Sequence, residues 1–368
     1  MRHIAVVLII FEPMTSKLKL GIAISLIPQI ILVKWLAHYP QLVETYYSKG
    51  IYPVISRFFR LLFGWIPFSF GDVLYFLLGV IAIRYVFVNR KRIRAYPLKF
   101  LLNIAVVLSV AYFTFHLMWG MNYYRLPIAE KFDLPKTHTK EQLTSFIEKL
   151  TTKTNQVHLS ITSDSTKAVE LPFTKREIFE KTIHSYNDLG NKIPFLKYRS
   201  PSLKKSIFSL ALTYMGYGGY LNPFTNEAQV NGKLPAYRFP VVAGHEVGHQ
   251  LGYSAENETN FIGYLATVNN EDVYFKYAAY SYALAYALGE LQRVDMPLFN
   301  TEYAKLNEGV RKNYKEMNDF WLSYENPMEP VFKSVFNTFL KANNQSEGIL
   351  SYNSVVSLLV NYYEKHPL

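Results

Sequence analysis

Three apolar segments in the first 119 residues constrain the fold of this chain more than any other feature. Leu18 to Leu36, Val73 to Val88 and Phe100 to Trp119 each approach the roughly 20 helical residues that cross the hydrocarbon layer of a membrane. Polar residues inside each segment leave a buried soluble helix as the alternative. Lys34 and Arg84 lie near segment ends, where long cationic side chains reach the headgroups. The sequence therefore predicts three membrane-spanning helices, with a lipid bilayer as partner.

The short connection between the second and third segments predicts the orientation. It contains basic residues and no acidic one: Arg90, Lys91, Arg92, Arg94 and Lys99. Loops that keep Lys and Arg face the cytoplasm. We therefore expect a multi-pass protein of the cytoplasmic (inner) membrane, with its N-terminus inside and everything after Trp119 outside. The aromatic stretch from Phe58 to Phe70 is expected outside as well, as an interfacial segment.

The first 14 residues resemble a truncated signal sequence. Arg2 precedes a short apolar run from Ile4 to Phe11, and no small-residue cleavage site follows convincingly. We therefore expect the first segment to remain as an uncleaved anchor. Met1 and Met14 both stay candidates for the true start.

Charge and cysteine content exclude several classes of function. The net charge is +11, and the first 119 residues contain few acids, Glu12, Glu44 and Asp72, so the excess of basic residues lies around the apolar segments. A nucleic-acid-binding protein would carry its excess of basic residues on the soluble domain, so we expect no nucleic-acid partner. The absence of cysteine excludes disulfides, thiol nucleophiles and Cys-ligated metals. We expect two domains, a membrane anchor over residues 1–119 and an extracytoplasmic domain over residues 120–368.

Residues after Gly120 have the patterns of a mostly helical domain with a small sheet. Apolar residues recur at helical spacing in several stretches. These are Lys140 to Leu150, Lys175 to Leu189, Asp272 to Val294, Thr301 to Tyr324 and Asn353 to Tyr363. Ser206 to Tyr214 is apolar with Ser and Thr interleaved and is followed by glycines, which predicts a strand ending in a tight turn.

The segment His245-Glu-Val-Gly-His249 carries the chemistry. Residues four apart share one face of a helix, so both imidazoles can bind one Zn²⁺ while Glu246 faces a water molecule on the metal. Zinc lowers the pKa of such a water to about 7, and the glutamate accepts its proton as general base. The alternative is a pair of surface histidines on an amphipathic helix.

A third ligand is needed for such a site. Glu256 is the candidate, because Glu256-x-x-Thr259-Asn260 resembles the Glu-x-x-small-Asp/Asn pattern of glutamate-zincins. In the class with an extended motif a third histidine would fall at position 255, which is alanine here. Gly252 can end the first helix and reverse the chain toward the metal. Glu256 and Glu258 point about 200° apart on a helix, and Asn260 shares the face of Glu256. Asn260 is therefore expected to brace a ligand histidine.

The chain resembles the bacterial membrane proteins labelled domain of unknown function 3810, in the HExxH metallopeptidase clan. The motifs that carry the resemblance occur in the family's order along nearly the whole chain. They are Tyr47-Ser-Lys-Gly-Ile-Tyr-Pro53, Trp119-Gly-Met-Asn-Tyr-Tyr-Arg125, Asn222 to Asn231, the histidine segment and Ser351-Tyr352. The family usually has alanine where this chain has Thr259, a departure that leaves the ligands intact.

The resemblance implies a membrane-anchored glutamate-zincin without a known substrate. The expected fold is mainly α, with three N-terminal transmembrane helices followed by a zincin-like α+β domain. In zincins an extended segment pairs with the substrate backbone, which assigns Glu227, Ala228 and Gln229 to an edge strand that binds substrate. An ordinary turn and strand is the alternative. For the developing oxyanion a tyrosine would fit, and the candidates stay open: Tyr277, Tyr280, Tyr282 and Tyr352.

The expected function is hydrolysis of peptide bonds in a peptide or protein substrate outside the cytoplasm. His245, His249 and Glu256 would hold zinc, and Glu246 would act as the general base. One alternative is a non-catalytic receptor or scaffold stabilised by zinc, against which the intact Glu246 argues. Another is a zinc amidase that acts on cell-wall peptides by the same chemistry. We expect the remaining histidines, including His158, to be surface residues.

Overall fold

A computed structural model describes residues 14–368, which form a mainly helical protein with one small sheet. The signal-like run before Met14 lies outside the described residues. The α-helices in chain order are α1 Ser16–Ile24, α2 Leu26–Leu36, α3 Pro40–Leu42, α4 Tyr52–Phe63, α5 Phe70–Ala95, α6 Pro97–Met118, α7 Ile128–Lys131, α8 Lys140–Thr162, α9 Lys175–Lys192, α10 Ser209–Tyr214, α11 Phe239–Gln250, α12 Glu256–Val268, α13 Val273–Val294, α14 Met296–Ala304, α15 Glu308–Leu322, α16 Glu329–Ala342 and α17 Val355–Lys365.

Three stretches of helix are long and apolar enough to cross a membrane, which confirms the three predicted apolar helices. They are Ser16–Leu36, made of α1 and α2, then α5 and α6. Most of their side chains are exposed rather than packed inside the protein. The polar groups among them meet one another, as the Ser109 hydroxyl lies 3.2 Å from that of Ser25 and 3.1 Å from Gln29 Nε2. Apolar surfaces of this kind favour association with a lipid bilayer.

The connection between the first two candidate spans is also helical. A π-helix over Val43–Ile51 leads into α4. One face of α4 is buried against the rest of the protein through Tyr52, Ser56 and Arg60. The opposite face exposes large apolar side chains, among them Phe58. This two-sided helix has the pattern expected of an interfacial segment.

The predicted helices after Gly120 are present, with one break. Thr139 and Thr174 form capping boxes that start α8 and α9, which satisfies backbone N–H groups of the first turn. The single helix predicted from Thr301 to Tyr324 is wrong, because the chain divides there into α14 and α15. Asn307 between them donates its backbone N–H to Asn155 Oδ1 at 2.9 Å, which ends the helical hydrogen-bond pattern.

The strand predicted from Ser206 to Tyr214 is wrong, because most of this segment forms helix α10. The Ser206 hydroxyl donates to Asp72 Oδ2 at 2.9 Å and accepts from the backbone N–H of Phe208 at 3.0 Å. This pair of bonds turns the chain before Ser209, so the extended conformation stops at Lys205.

The sheet has three strands, β1 Leu203–Lys205, β2 Gly219–Asn222 and β3 Glu227–Val230, in the order β1-β3-β2. Strand β3 is parallel to β1 and antiparallel to β2. The prediction that residues 227–230 form an edge strand is therefore wrong, since both edges of β3 are already paired.

The side chain of Glu227 has structural partners instead of a free face. Its carboxylate contacts Lys204 Nζ at 2.5 Å and accepts from the backbone N–H of Phe70 at 3.1 Å. Ala228 and Gln229 are fully buried. The prediction that Glu227, Ala228 and Gln229 bind the substrate backbone depended on a free strand edge, and β3 has none.

Two of the four packed cores in the described chain connect the elements around the site. The larger one lies among α8, α12, α13 and α17. A smaller one joins Tyr47 and Tyr52, Trp119 to Tyr124, and Leu221 of β2. Residues on both sides of the predicted boundary at 119 therefore share a core. His158 is fully buried, with its Nε2 atom 2.8 Å from the Lys167 carbonyl oxygen, so its expected surface position is wrong.

Candidate metal centre

Helix α11 carries the His-Glu-x-x-His motif on a buried face. Pro240 lies in its first turn, where a missing backbone N–H is tolerated. The side chains of His245, Glu246 and His249 offer possible ligand atoms within 4.8 Å of one another. All three residues are at least nine-tenths buried. The alternative of two surface histidines is therefore wrong.

A close crossing of α11 and α12 brings the second half of the centre into place. A Cβ atom on Gly263 would lie 2.6 Å from the His245 backbone nitrogen and 2.9 Å from the Val241 carbonyl oxygen. A Cβ atom on Gly244 would lie 3.0 Å from the Gly263 carbonyl oxygen. The distances at Gly263 are shorter than real Cβ atoms show, and the distance at Gly244 is tighter than nine in ten real Cβ contacts. The crossing therefore requires glycine at Gly263 and favours it at Gly244.

The chain reverses between these helices at Gly252, as the sequence predicted. Gly252 has a φ of +83°, a conformation that favours glycine, and α12 begins at Glu256. Glu256 Oε2 lies 3.3 Å from His245 Nε2 and 3.6 Å from His249 Nε2. The structure thus brings together the two imidazoles and the carboxylate that the sequence proposed as ligands.

Hydrogen bonds orient both imidazoles toward Glu256. His245 Nδ1 lies 2.8 Å from Asn260 Oδ1, and His249 Nδ1 donates to the Tyr253 carbonyl oxygen at 2.8 Å. A proton on each Nδ1 leaves the lone pair of each Nε2 free to bind a cation. Such outer partners fix ring orientation in metal sites. Asn260 therefore lies where the sequence placed it.

Glu258 turns away from the histidines. Its Oε1 accepts a hydrogen bond from the backbone N–H of Ile128 at 2.6 Å. Burial raises the pKa of Glu258 to about 7, while Arg125 and Lys131 nearby oppose the increase. Glu256 and Glu258 thus point in different directions, as their spacing on a helix predicted.

Glu246 lies beside the first residue of β2. A Cβ atom on Gly219 would fall 2.5 Å from Glu246 Oε1, so this glycine leaves the space that the carboxylate occupies. Burial raises the pKa of Glu246 to about 7, and the Glu256 carboxylate also raises it. Glu246 Oε2 is buried and has no hydrogen-bond partner among residues 14–368. A buried carboxylate oxygen without a partner is costly, and a catalytic role is one physical reason for a fold to retain such an atom.

The donor set fits a zinc ion by its chemistry. Two imidazole nitrogens and one carboxylate are a known ligand set of catalytic zinc. Glu256 Oε2 is buried between the imidazoles without a hydrogen-bond partner in the described chain. Burial opposes a charge on His249, yet the Glu256 carboxylate raises the pKa of His249 to about 9. The Glu256 carboxylate thus favours positive charge between the imidazoles, which a bound cation would supply in place of a proton.

A cavity of about 530 Å³ opens onto the histidines and Glu246. Among the four candidate tyrosines, Tyr282 and Tyr352 line it, whereas Tyr280 belongs to the main core. Tyr277 donates to Asn313 Oδ1 at 2.8 Å, away from the centre. The Tyr352 ring is within 9° of parallel to that of His245. Burial and the Glu256 carboxylate raise the pKa of Tyr352 well above its ordinary value, so its hydroxyl keeps its proton.

Arg238 is a cavity residue that sequence reasoning missed. Its guanidinium lies 4.2 Å from the centre of the Tyr282 ring, and the side chain lines the same cavity as Glu246. Its position immediately before α11 was the available signal, because residues adjacent to a ligand helix commonly face its site.

Three further missed residues hold the C-terminal end of α11. Trp119 Nε1 donates to the His249 carbonyl oxygen at 3.0 Å, and the Tyr52 hydroxyl donates to that of Gln250 at 2.8 Å. Arg125 Nη1 donates to the Gly252 carbonyl oxygen at 2.7 Å. These donors satisfy carbonyls that a helix end leaves without partners. All three lie in the motifs at 47–53 and 119–125, which was the available signal.

Comparison with known proteins identifies a family without assigning an activity. The model of the family described as Protein of unknown function (DUF3810) matches residues 47–360. No curated protein and no solved structure matches the chain. The matched region includes the whole candidate centre and the residues that hold α11 at its end. The chain therefore belongs to the DUF3810 family.

Proposed function

We propose that this protein is a zinc-dependent peptidase of the zincin type, held in a bacterial cytoplasmic membrane by its three apolar helices. The observation that carries the proposal is the arrangement around α11. His245, His249 and Glu256 converge through Nε2 and Oε2 atoms, and Glu246, whose Oε2 has no hydrogen-bond partner among residues 14–368, lies beside them at the wall of a cavity. This combination supports hydrolysis by a metal-activated water.

Each residue of the centre has a role that follows from its contacts. Bound zinc would supply Lewis-acid polarisation of a water molecule and of the scissile carbonyl. Glu246 Oε2 would accept the proton of that water and later pass it to the leaving amine. Asn260 and the Tyr253 carbonyl hold the imidazoles in place. Tyr352, which keeps its proton, is the candidate donor to the developing oxyanion.

Strand β2 is the candidate surface for the substrate backbone. It pairs with β3 along one edge only, and Gly219 to Leu221 line the cavity beside Glu246. An exposed strand edge can add an extended peptide through main-chain hydrogen bonds. β2 thus takes the place that the sequence assigned to residues 227–229.

A scaffold stabilised by zinc is a weaker interpretation. It would use His245, His249 and Glu256 but would have no use for a buried carboxylate at Glu246 without a partner. Such a group destabilises a fold by roughly 1–3 kcal/mol when no bond compensates it. A zinc amidase remains an alternative of the same chemistry, and the choice of substrates distinguishes it from a peptidase.

Removal of metal tests the proposal directly. The purified full-length protein is expected to contain about one zinc per chain and to cleave members of a mixed peptide library. A chelator should abolish cleavage, and added zinc should restore it, because three protein ligands release and rebind the ion without unfolding the chain. Zinc content by mass spectrometry and peptide products are the two measurements. Cleavage that persists after complete loss of zinc would refute the proposal.

The proposed orientation places residues 120–368 outside the cytoplasm. A reporter that is active only outside the cytoplasm should be active when fused after Tyr124 and silent when fused at Arg92, because basic loops stay inside. A fusion at Trp65, between the first two spans, should be active and serves as control. The reverse pattern of activity would place the candidate centre in the cytosol.

A further inference from the structure

The cavity beside the candidate centre extends to the membrane-spanning helices. Phe115 belongs to the last turn of α6, the third candidate span, and it lines the same cavity as His245 and Glu246. Trp119, which directly follows that helix, also lines it. Since α6 is a span by length and composition, one end of the cavity lies at the level of a bilayer surface.

Helix α16, which lines the cavity, and helix α10, which ends just before the lining residues 216–221, are fastened to the ends of the spans. Near the start of α5, Asp72 Oδ2 accepts from the backbone N–H of Ile207 at 2.6 Å, just before α10. Near the end of α2, Lys34 Nζ donates to the Ala342 carbonyl oxygen at the end of α16 at 3.1 Å. The rings of Phe115 and Phe339 are 6.0 Å apart, which joins α6 to α16. Helices α10 and α16 therefore lie where the three spans end.

Each of these helices exposes an apolar stripe, here called the rim stripes. The first stripe begins just before α10 and continues along it, and the second begins just before α16 and continues along it. Within each stripe the residues are three and four positions apart. They are Ile207, Leu210 and Tyr214, and Met328, Val331 and Val335. Their exposures run from 45% to 65%. Helices with one apolar face and one packed face commonly lie in a membrane interface.

We propose that the rim stripes rest on the bilayer surface, so that the cavity receives a peptide that is itself anchored in the membrane and is cut close to its anchor. The occupant of the stripes is lipid, because α10 and α16, which carry them, contact the ends of the three membrane-spanning helices through Asp72, Lys34 and Phe115. An apolar, aromatic cavity beside lipid suits the apolar residues that follow a membrane anchor. The cutting step rests on the proposed peptidase function, whereas the contact with lipid does not.

The contact with lipid can be measured without any activity. The chain contains no cysteine, so a nitroxide can be attached to one introduced cysteine in the full-length protein. Val335→Cys and Leu210→Cys test the two stripes. Ile83→Cys, on an exposed position of α5, is the lipid-facing reference. Lys149→Cys, exposed on α8, is the water-facing control.

In lipid nanodiscs the two stripe labels should collide more often with oxygen than with a water-soluble nickel chelate, as at Ile83, because oxygen concentrates in hydrocarbon. The Lys149 label should show the opposite preference. Preference for the nickel chelate at both stripes, as at Lys149, would overturn the proposal. So would protection from both collision partners, which would indicate a protein partner on the stripes.

The height of the cutting site is tested with two anchored peptide pools. Decapeptides of mixed sequence carry a palmitoyl group either directly or through a 12-residue Gly/Ser spacer, which can extend to roughly 40 Å. With the protein in the same vesicles, the directly anchored pool should be cleaved at least as fast as the spaced pool. Cleavage of the spaced pool alone would place the site too far above the lipid and overturn the proposal. The same decapeptides without a palmitoyl group are tested as well. If neither anchored pool nor these free peptides were cleaved, the peptidase function would be contradicted, while the nitroxide result would still decide the contact with lipid.

Discussion

Glu246→Gln is expected to keep about one zinc per chain while peptide hydrolysis falls by roughly 100- to 10,000-fold, the usual contribution of a general base. Glutamine has the size of glutamate and fits the space that Gly219 leaves beside the side chain. It cannot accept a proton, however. The imidazoles and Glu256 are unchanged in this variant, so the metal should remain bound. Zinc content and initial rates on one cleaved peptide measure the two effects separately.

The matched control for this variant is Glu302→Gln. Glu302 is likewise a buried glutamate on a helix, with an ion pair to Lys305 at 2.7 Å, and it lies outside the cavity. Its replacement should leave both zinc content and rates within about twofold of the unmodified protein, since it touches no part of the centre. Equal activity of the Glu246 variant and the unmodified protein would show that this centre does not catalyse the reaction.

Zinc affinity is expected to fall by more than 100-fold in Glu256→Gln. The change removes the negative charge between the two imidazoles, and losses of outer partners alone typically cost about 10- to 100-fold. Glu256 Oε2 lies within 3.6 Å of both Nε2 atoms and has no hydrogen-bond partner in the described chain. Competition with a zinc chelator of known affinity measures the change.

Two further variants serve as comparisons for Glu256→Gln in the zinc-binding experiment. Asn260→Ala removes the acceptor of His245 Nδ1 and should weaken zinc binding about 10- to 100-fold. Glu258→Gln should leave it nearly unchanged, because glutamine can still accept the hydrogen bond from Ile128. Loss of zinc in the Glu258 variant, with Glu256→Gln still binding normally, would show that the ligands have been assigned incorrectly.

Features that depend on neighbours close in sequence could be predicted from the sequence. The four-residue spacing of His245 and His249 determines that both lie on one face of α11. The phase of α12 separates Glu256 from Glu258, and Gly252 has the φ that a reversal requires. The three long apolar helices follow from composition alone. In each case the information lies within about one helical turn or one apolar run.

Short segments gave weaker signals, because their conformation depends on distant partners. Ser206 to Tyr214 has the composition of a strand, but the hydrogen bond from Ser206 to Asp72, 134 residues earlier, turns it into α10. Residues 227–230 do form a strand. Whether a strand lies at an edge or in the middle depends on what pairs with it, and β1 and β2 come from other parts of the chain.

The sequence by itself determined which residue types meet at the candidate centre, because the motif and the reversal at Gly252 are local. The tertiary structure alone decided what surrounds them. Tyr52, Trp119 and Arg125 reach the end of α11 across more than 120 residues of chain, and one cavity joins Phe115 of the third span to Tyr352. Periodicity encodes the face on which a side chain lies but carries no record of the distant surface against which that face packs. Only the folded chain therefore shows that the candidate centre lies next to the helices that are long and apolar enough to span a membrane.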